Sequence, residues 1–312
     1  MDPITIDNLG KIYRKGLRQQ KVVALHDLSL SVRAAEIFGF LGPNGAGKST
    51  TIKILCDLIR PSSGHAMILG RAVTEPEARR HMGYLPENPN YYIFLTGWEL
   101  LRFHGAIHGV REPSIRARGT ELLDILELTD AAHRPIRTYS KGMVQRVGIA
   151  AAVIHDPTVL ILDEPMSGLD PIGRKLVMEL MAHLRTQGKT IFFSTHILHD
   201  VEIICDRIGI ITGGELKFSG TLAEVRTESF SSYDVVLRRS VLDQVEALQR
   251  LGFSPAVHED KVQVEVGKTD LQAFLVTCSQ YGLELFTIEP KRMGLEDFFM
   301  SFVQKKNVGL NE

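Results

Sequence analysis

Apolar residues recur along the chain in two different periods, and the places where one gives way to the other mark out its architecture. Near the start Ile4 and Ile6 alternate with polar neighbours, and apolar runs follow at residues 22–25, 28–32 and 37–41, all of strand length. The last run leads straight into Gly42. Residues 50–58 then carry helical spacing, 159–162 form an unbroken apolar run, 175–184 are helical again and 190–194 are strand-like. Strands separated by helices in this way predict a largely parallel sheet with helices packed on its faces.

Two interruptions divide the pattern. Between about residues 96 and 154 strand signals vanish and helical ones dominate, which predicts a helical subdomain inserted into the α/β frame. Thr96 and Glu99 stand at capping-box spacing at its start. The second interruption is the polar stretch 221–232, which follows strand-like runs at 208–211 and 215–218. Past it the pattern restarts on a smaller scale: a strand at 235–237, a helix at 241–251 ended by Gly252, then alternating Val262, Val264 and Val266. A helix through Leu271, Phe274, Leu275 and Cys278, a strand at 283–288 and a helix bearing Leu295, Phe298, Phe299, Phe302 and Val303 complete it. The expected organisation is a large domain over residues 1–225, with its helical subdomain at about 88–155, and a small α+β domain over 230–312, in which the face of Phe298, Phe299 and Phe302 is core by default, with a dimer surface as the alternative.

Composition narrows the function more than the fold. With 44% hydrophobic and 23% charged residues the chain is an ordinary globular one, and a formal net charge of -1 supplies no basic field for nucleic acid, so no nucleic-acid partner is expected. Cys56, Cys205 and Cys278 are widely spaced and form no CxxC pair, which argues against a disulfide framework or a zinc site and for a reducing cytosol. The N-terminus lacks a basic-then-apolar signal, and no run approaches the roughly 18 apolar residues that cross a bilayer. Any membrane role is expected to come through a partner.

Two segments carry recognisable chemistry. Gly42-Pro43-Asn44-Gly45-Ala46-Gly47-Lys48-Ser49 matches the eight-residue phosphate-binding pattern and stands between an apolar strand and an amphipathic helix, the context that pattern requires. Glycines let the backbone wrap an anion with N–H groups, and the helix after the loop presents its positive end. Lys48 supplies a charge for the β- and γ-phosphates of ATP, the Ser49 hydroxyl is a ligand for Mg²⁺, and Thr50 continues the loop. Val159-Leu160-Ile161-Leu162 ends in Asp163 and Glu164, a buried strand delivering carboxylates to the carboxyl edge of a sheet, where ligand crevices form. Asp163 is expected to hold Mg²⁺ and Glu164 to act as base toward the attacking water. On its own an acidic pair after a strand merely starts a loop; beside the phosphate loop it becomes part of a site.

Further motifs come in order along the chain. Tyr139-Ser140-Lys141-Gly142-Met143-Val144-Gln145-Arg146 opens a helix at a Ser140 cap, Ser167-Gly168-Leu169-Asp170 precedes Pro171, and His196 comes after the strand ending Phe192-Phe193-Ser194-Thr195. With the two phosphate motifs, this series resembles the nucleotide-binding subunits of ABC transporters over residues 4–220. The resemblance implies a P-loop cassette with an antiparallel β subdomain and an inserted helical subdomain. It also implies a head-to-tail homodimer. In that dimer Ser140, Lys141, Gly142 and Met143, the signature segment, cap ATP on the opposite subunit, and Asp170 of the D-loop lies at the seam. His196 is the switch histidine acting on the γ-phosphate, and Tyr13 stands where an aromatic stacks on adenine, with Val22 a neighbouring candidate. Glu87, in Tyr84-Leu85-Pro86-Glu87, replaces the glutamine that meets nucleotide and metal; an ionised carboxylate accepts hydrogen bonds but donates none. Lys141 and Met143 likewise depart from glycine and glutamine.

The Tyr-Leu-Pro-Glu segment and the small C-terminal domain look like those of bacterial ABC-2-type exporter ATPases. By that resemblance the chain is expected to hydrolyse ATP and so energise export through a separate membrane-spanning subunit, at the cytoplasmic face of the membrane. Tyr91, Tyr92, Ile93, Phe94, Leu95 and Trp98 form an aromatic-aliphatic cluster suited to that contact. A soluble ABC ATPase acting on ribosomes or DNA is the rival reading. It is disfavoured by the single cassette and the absence of sustained heptads.

Overall fold

Residues 37–41, Ile-Phe-Gly-Phe-Leu, are buried at every position, so this strand must have cover on both faces. The computed structural model, which describes residues 2–15, 20–228, 230–238, 248–249, 252–258, 261–292 and 294–304, supplies that cover from two layers. The chain divides into two units, Met1–Thr221 and Leu222–Glu312.

In the first unit the strands β1 (Ile4–Lys15), β2 (Gln20–Val32), β3 (Ile37–Leu41), β4 (Ser63–Ile68), β5 (Arg71–Ala72), β6 (Met82–Leu85), β7 (Val159–Asp163), β8 (Thr190–Thr195), β9 (Arg207–Thr212) and β10 (Glu215–Thr221) form two sheets among the described residues. One is antiparallel in the order β2-β1-β4-β5; the other runs β10-β9-β3-β8-β7-β6 and is parallel except for β10. Successive residues of the central strands point to opposite faces, and each face has its own core. Phe38, Phe40, Ile161 and Phe192 pack toward the antiparallel sheet and helix α1 (Lys48–Leu55), with Phe38 and Phe192 stacked at 5.8 Å. Ile37, Leu160, Leu162, Ile191 and Phe193 pack toward the helical side.

That side is built from α3 (Gly97–Ile107), α4 (Glu112–Ile125), α5 (Lys141–Val153) and α6 (Pro171–Thr186); the short α2 (Pro76–Arg80) and α7 (Leu198–Ile204) flank the sheet elsewhere. The capping box expected at Thr96 is present. The Thr96 hydroxyl accepts from the Glu99 N–H at 3.1 Å and the Glu99 carboxylate accepts from the Thr96 N–H at 2.8 Å. The Thr96 N–H and the Thr96 hydroxyl, both bonded to that carboxylate, hold the Glu99 carboxyl below its ordinary range.

The structure departs from the sequence pattern in two places. Residues 22–25 and 28–32 belong to one strand, because Asp27 takes a left-handed φ of 45° and the register against β1 slips there without breaking. The polar stretch 221–232, where the pattern shows no element, holds α8 (Leu222–Glu228) and the start of β11 (Phe230–Arg238).

The second unit contains, besides these, β12 (Ala256–His258), β13 (Lys261–Gly267), α9 (Leu271–Gln280), β14 (Leu285–Arg292) and α10 (Leu295–Gln304). Its antiparallel sheet is ordered β12-β13-β11-β14, with Val235, Leu237, Val262, Val264 and Val266 packed on Phe274 and Cys278. Phe298 and Phe299 are buried. The helix expected at 241–251 falls almost wholly outside the described residues.

Candidate nucleotide site

Neighbouring parallel strands bring four loops to one edge. Gly42 follows β3, Glu87 follows β6, Asp163 ends β7 with Glu164 next, and His196 follows β8. A cleft of about 320 Å³ opens there, lined by the loop from Pro43 to Thr50 together with Ala24, Glu87 and Glu164. Gly42 and Ala46 sit behind it, buried, and shape the loop from within.

Glycine is required in this loop for two separate reasons. Gly47 has φ 115°, and a Cβ there would lie 2.7 Å from Leu25 Cδ2 and 2.9 Å from the Ala24 carbonyl oxygen. Gly45, with φ 79°, has open space beside it. The first needs both the left-handed conformation and the room; the second needs only the conformation. α1 then starts at Lys48 with no side-chain cap on its N-terminus, which leaves first-turn N–H groups directed at the cleft for an anion.

Lys48 is buried, so its charge has to be paired. Its ammonium donates to the Gly42 carbonyl oxygen at 2.6 Å and lies 3.5 Å from Glu164 Oε1. The other side of that carboxylate meets His196, whose Nδ1 is 3.0 and 3.1 Å from its two oxygens. An ionised carboxylate accepts only, so the proton is on Nδ1 and the half-exposed ring keeps Nε2 for another partner. Glu164 itself has φ 49°, a left-handed conformation that costs a non-glycine residue on the order of 1–3 kcal/mol. Its N–H donates to Ser194 Oγ at 3.0 Å, and Ser194 in turn donates to Asp163 Oδ1 at 2.5 Å.

Asp163 is 2% exposed, and burial raises its carboxyl above the ordinary value against the pull of the Ser194 and Ser49 hydroxyls. Ser49 Oγ lies 3.5 Å from Asp163 Oδ1. This buried carboxylate, a hydroxyl and the nearby Glu87 make a hard oxygen set that suits Mg²⁺. Among the described residues no group of three or more His, Cys, Asp or Glu is arranged to hold an ion by itself. A Mg²⁺ ion at a nucleotide is commonly held by one or two carboxylates plus phosphate oxygens. When bound, it supplies positive charge to the phosphates.

The remaining sequence candidates lie outside this cleft. The Tyr13 ring is partly exposed on β1, with Lys11 Nζ 5.2 Å from its centroid. Ser140 caps α5, its hydroxyl accepting from the Met143 N–H at 3.2 Å, and Asp170 caps α6, accepting from the Gly173 N–H at 2.8 Å. These two caps are neighbours: Lys141 lies across Gly168, and a Cβ on Gly142 would be 3.5 Å from the Gly168 carbonyl oxygen. Ser140, Lys141, Gly168 and Asp170 reach the surface. Sequence reasoning missed Ala24 and Ser194. Ala24 carries no chemical signal; Ser194, a polar residue directly after the apolar run of β8, does.

A glycine-rich cradle after a strand, a buried lysine and paired carboxylates one strand apart define a P-loop nucleoside triphosphatase. A family model described as ABC transporter matches residues 25–167. An ABC transporter ATP-binding protein of Nostoc sp. is 41% identical over 99% of this chain and 92% of its own. The linearmycin resistance ATP-binding protein LnrL of Bacillus subtilis is 30% identical over 95% of this chain and 96% of its own. Among solved structures, a dimeric post-hydrolysis ATP-binding cassette bound to ADP and Pi is 26% identical, with a TM-score of 0.65 over 70% of this chain and 98% of that one. The chain belongs to the ATP-binding subunits of ABC transporters, and it binds and hydrolyses ATP.

Proposed function

We propose that two copies of this chain form the motor of an exporter, seated at the cytoplasmic face of a membrane against a separate membrane-spanning subunit. The observation that carries this reading is the segment between Glu87 and α3. Tyr91, Leu95 and Trp98 pack on the subunit's own core, whereas Tyr92, Ile93 and Phe94 are 70%, 50% and 79% exposed. Three adjacent large apolar side chains are left in water a few residues from a group lining the phosphate cleft, which suits a partner that senses nucleotide. No helix among the described residues is long and apolar enough to cross a membrane, so the translocation path falls to that partner. A relative named for resistance to linearmycin supports the outward direction.

Within this reading Lys48 and the N–H groups of residues 44–50 hold the phosphates, Ser49, Asp163 and Glu87 hold Mg²⁺, and Glu164 takes the proton of the attacking water. His196 orients Glu164 and reaches the γ-phosphate through Nε2. Tyr13 stacks on adenine. Ser140, Lys141, Gly142 and Met143 of one copy close over the ATP of the other, with Asp170 at the seam. Phe94→Asp tests the docking surface: the variant should bind ATP normally yet no longer co-purify with the membrane subunit. Retained assembly and transport would sink the proposal.

A further inference from the structure

The carbonyl side of the Glu164 turn is held from a different element. Gln145, on α5 and 2% exposed, directs its Nε2 at the carbonyl oxygens of Glu164 and Pro165, 3.2 Å from each. Both partners are acceptors, so the amide nitrogen, with its two donors, must face them; the orientation follows from the network. Gln145 belongs to the buried stretch of α5 with Val147 and Ile149, and a buried polar side chain is kept only when its hydrogen bonds are made.

The two grips on Glu164 are complementary. Ser194 takes its N–H and Gln145 takes its C=O, so both peptide groups flanking the left-handed Cα are fixed. A left-handed turn in a non-glycine residue lies uphill of the right-handed one by an amount comparable to what two hydrogen bonds supply. Without one grip the turn can relax. A change of φ at Cα redirects the Cα–Cβ bond and carries the carboxylate away from Lys48 and His196.

We infer that Gln145 is a positioning residue for ATP hydrolysis: by clamping the Glu164 and Pro165 carbonyls it holds the Glu164 carboxylate in its working place at the cleft. The inference rests on Glu164 acting as the base. Gln145 does not line the cleft and its amide bonds go to Glu164 and Pro165, so its effect falls on turnover and not on nucleotide affinity.

The experiment uses the full chain carrying Gln145→Met, which keeps length and volume and removes both donors. ATP turnover should fall about 30-fold, the scale of a misplaced catalytic group, with ATP affinity within about threefold of native. In a Glu164→Gln background the same substitution should change the residual rate by less than about twofold, because a residue acting only through Glu164 has nothing left to position. A folded Gln145→Met chain turning over at the native rate overturns the inference. So does a parallel loss of affinity, or a full further loss in the Glu164→Gln background, since either marks a general structural role. If Gln145→Met does not fold, Gln145→Asn, which withdraws the amide by one methylene, carries the same test. Failure of both to fold overturns it too, by making Gln145 a residue of the fold alone. An unimpaired Glu164→Gln would remove the base assignment and this inference together; impaired Glu164→Gln with unimpaired Gln145→Met removes only the inference.

Discussion

Strand β7 is buried at all five positions and ends in a carboxylate, whereas β13 alternates buried valines with Lys261, Gln263 and Glu265 and ends in glycine. The first strand has cores on both faces, so its polar residues can come only at its end, and neighbouring strands do the same at the same edge. Lys48, Asp163, Glu164 and Ser194 are therefore buried together, paired with one another and turned toward a cleft. Among the described residues of the second unit the charged pairs, Arg238 with Glu284 and Lys291 with Glu265, stand in water, where such pairs add little. Buried charge is costly, and a protein keeps it where chemistry uses it. The contrast says why one unit announces its activity and the other announces only that it folds.

The largest expected effect separates charge from shape at the first site. Glu164→Gln preserves the turn and the side-chain outline but removes the negative charge, so ATP hydrolysis should fall by about 10²–10⁴, the range for losing a general base. ATP binding should persist and, where ATP is part of a shared interface, drive the 34.8 kDa chain toward twice that mass in light scattering. Loss of hydrolysis with a monomeric mass at every ATP concentration, in the isolated chain and the assembled transporter alike, would break the shared-site picture. Next, Phe274→Ala empties the fully buried centre of the second unit's core and should cost about 3–5 kcal/mol, read as a lower unfolding midpoint in denaturant. An unchanged midpoint would show that this core packs differently from the first.

The smallest effect concerns pH. His108 and His155 stack at 3.6 Å where α3 meets the turn after α5. His155 Nε2 lies 3.2 Å from the Met82 carbonyl oxygen, while its Nδ1 is buried without a partner. His104 adds a third imidazole and Arg118 a nearby cation, itself paired with Asp156, which also pairs with Lys189 at 2.7 Å. Burial pushes His155 down to about 4 and holds His104 and His108 below their usual 6.5. The folded state prefers these rings neutral, so the stability they contribute is full above pH 6.5 and is lost as pH falls toward 4. Thermal melting of the native chain and of His155→Gln across that window should show a flatter profile for the variant. Parallel profiles would remove any contribution of the histidine stack to acid sensitivity. Burial of Asp163 acts with the opposite sign, which is why the comparison of two profiles is needed and a single slope is not enough.

Legibility followed chain contiguity. The phosphate loop, the Asp163–Glu164 pair and the Ser140 cap are each a run of adjacent residues, so the sequence displays them whole. Ser194 does not act through its sequence neighbours: only the register of β7 on β8, which places Asp163 opposite Ser194, makes it a ligand of the site. Gln145 was visible as a member of a motif, but its target lies on another loop, and nothing in helical spacing says that an inward polar residue meets a carbonyl pair. Residues 22–32 read as two strands because a left-handed Asp27 shifts the alternation in mid-strand. α8 escaped for a different reason: among its described side chains only Val225 is buried, and one buried position sets no period.

Lys141 lying across Gly168 has a consequence for how this sequence can change. A side chain at 168 would meet the Lys141 methylenes at 2.7 Å and evict them, on top of the strain of φ 72°. Position 168 is thus constrained partly by its own backbone and partly by what stands at 141. Replacing Lys141 by glycine would lift the second constraint and leave the first, so the tolerance of one motif to mutation is written in the other. The two segments constrain each other although apart along the chain, and a substitution that is neutral beside glycine at 141 need not be neutral here.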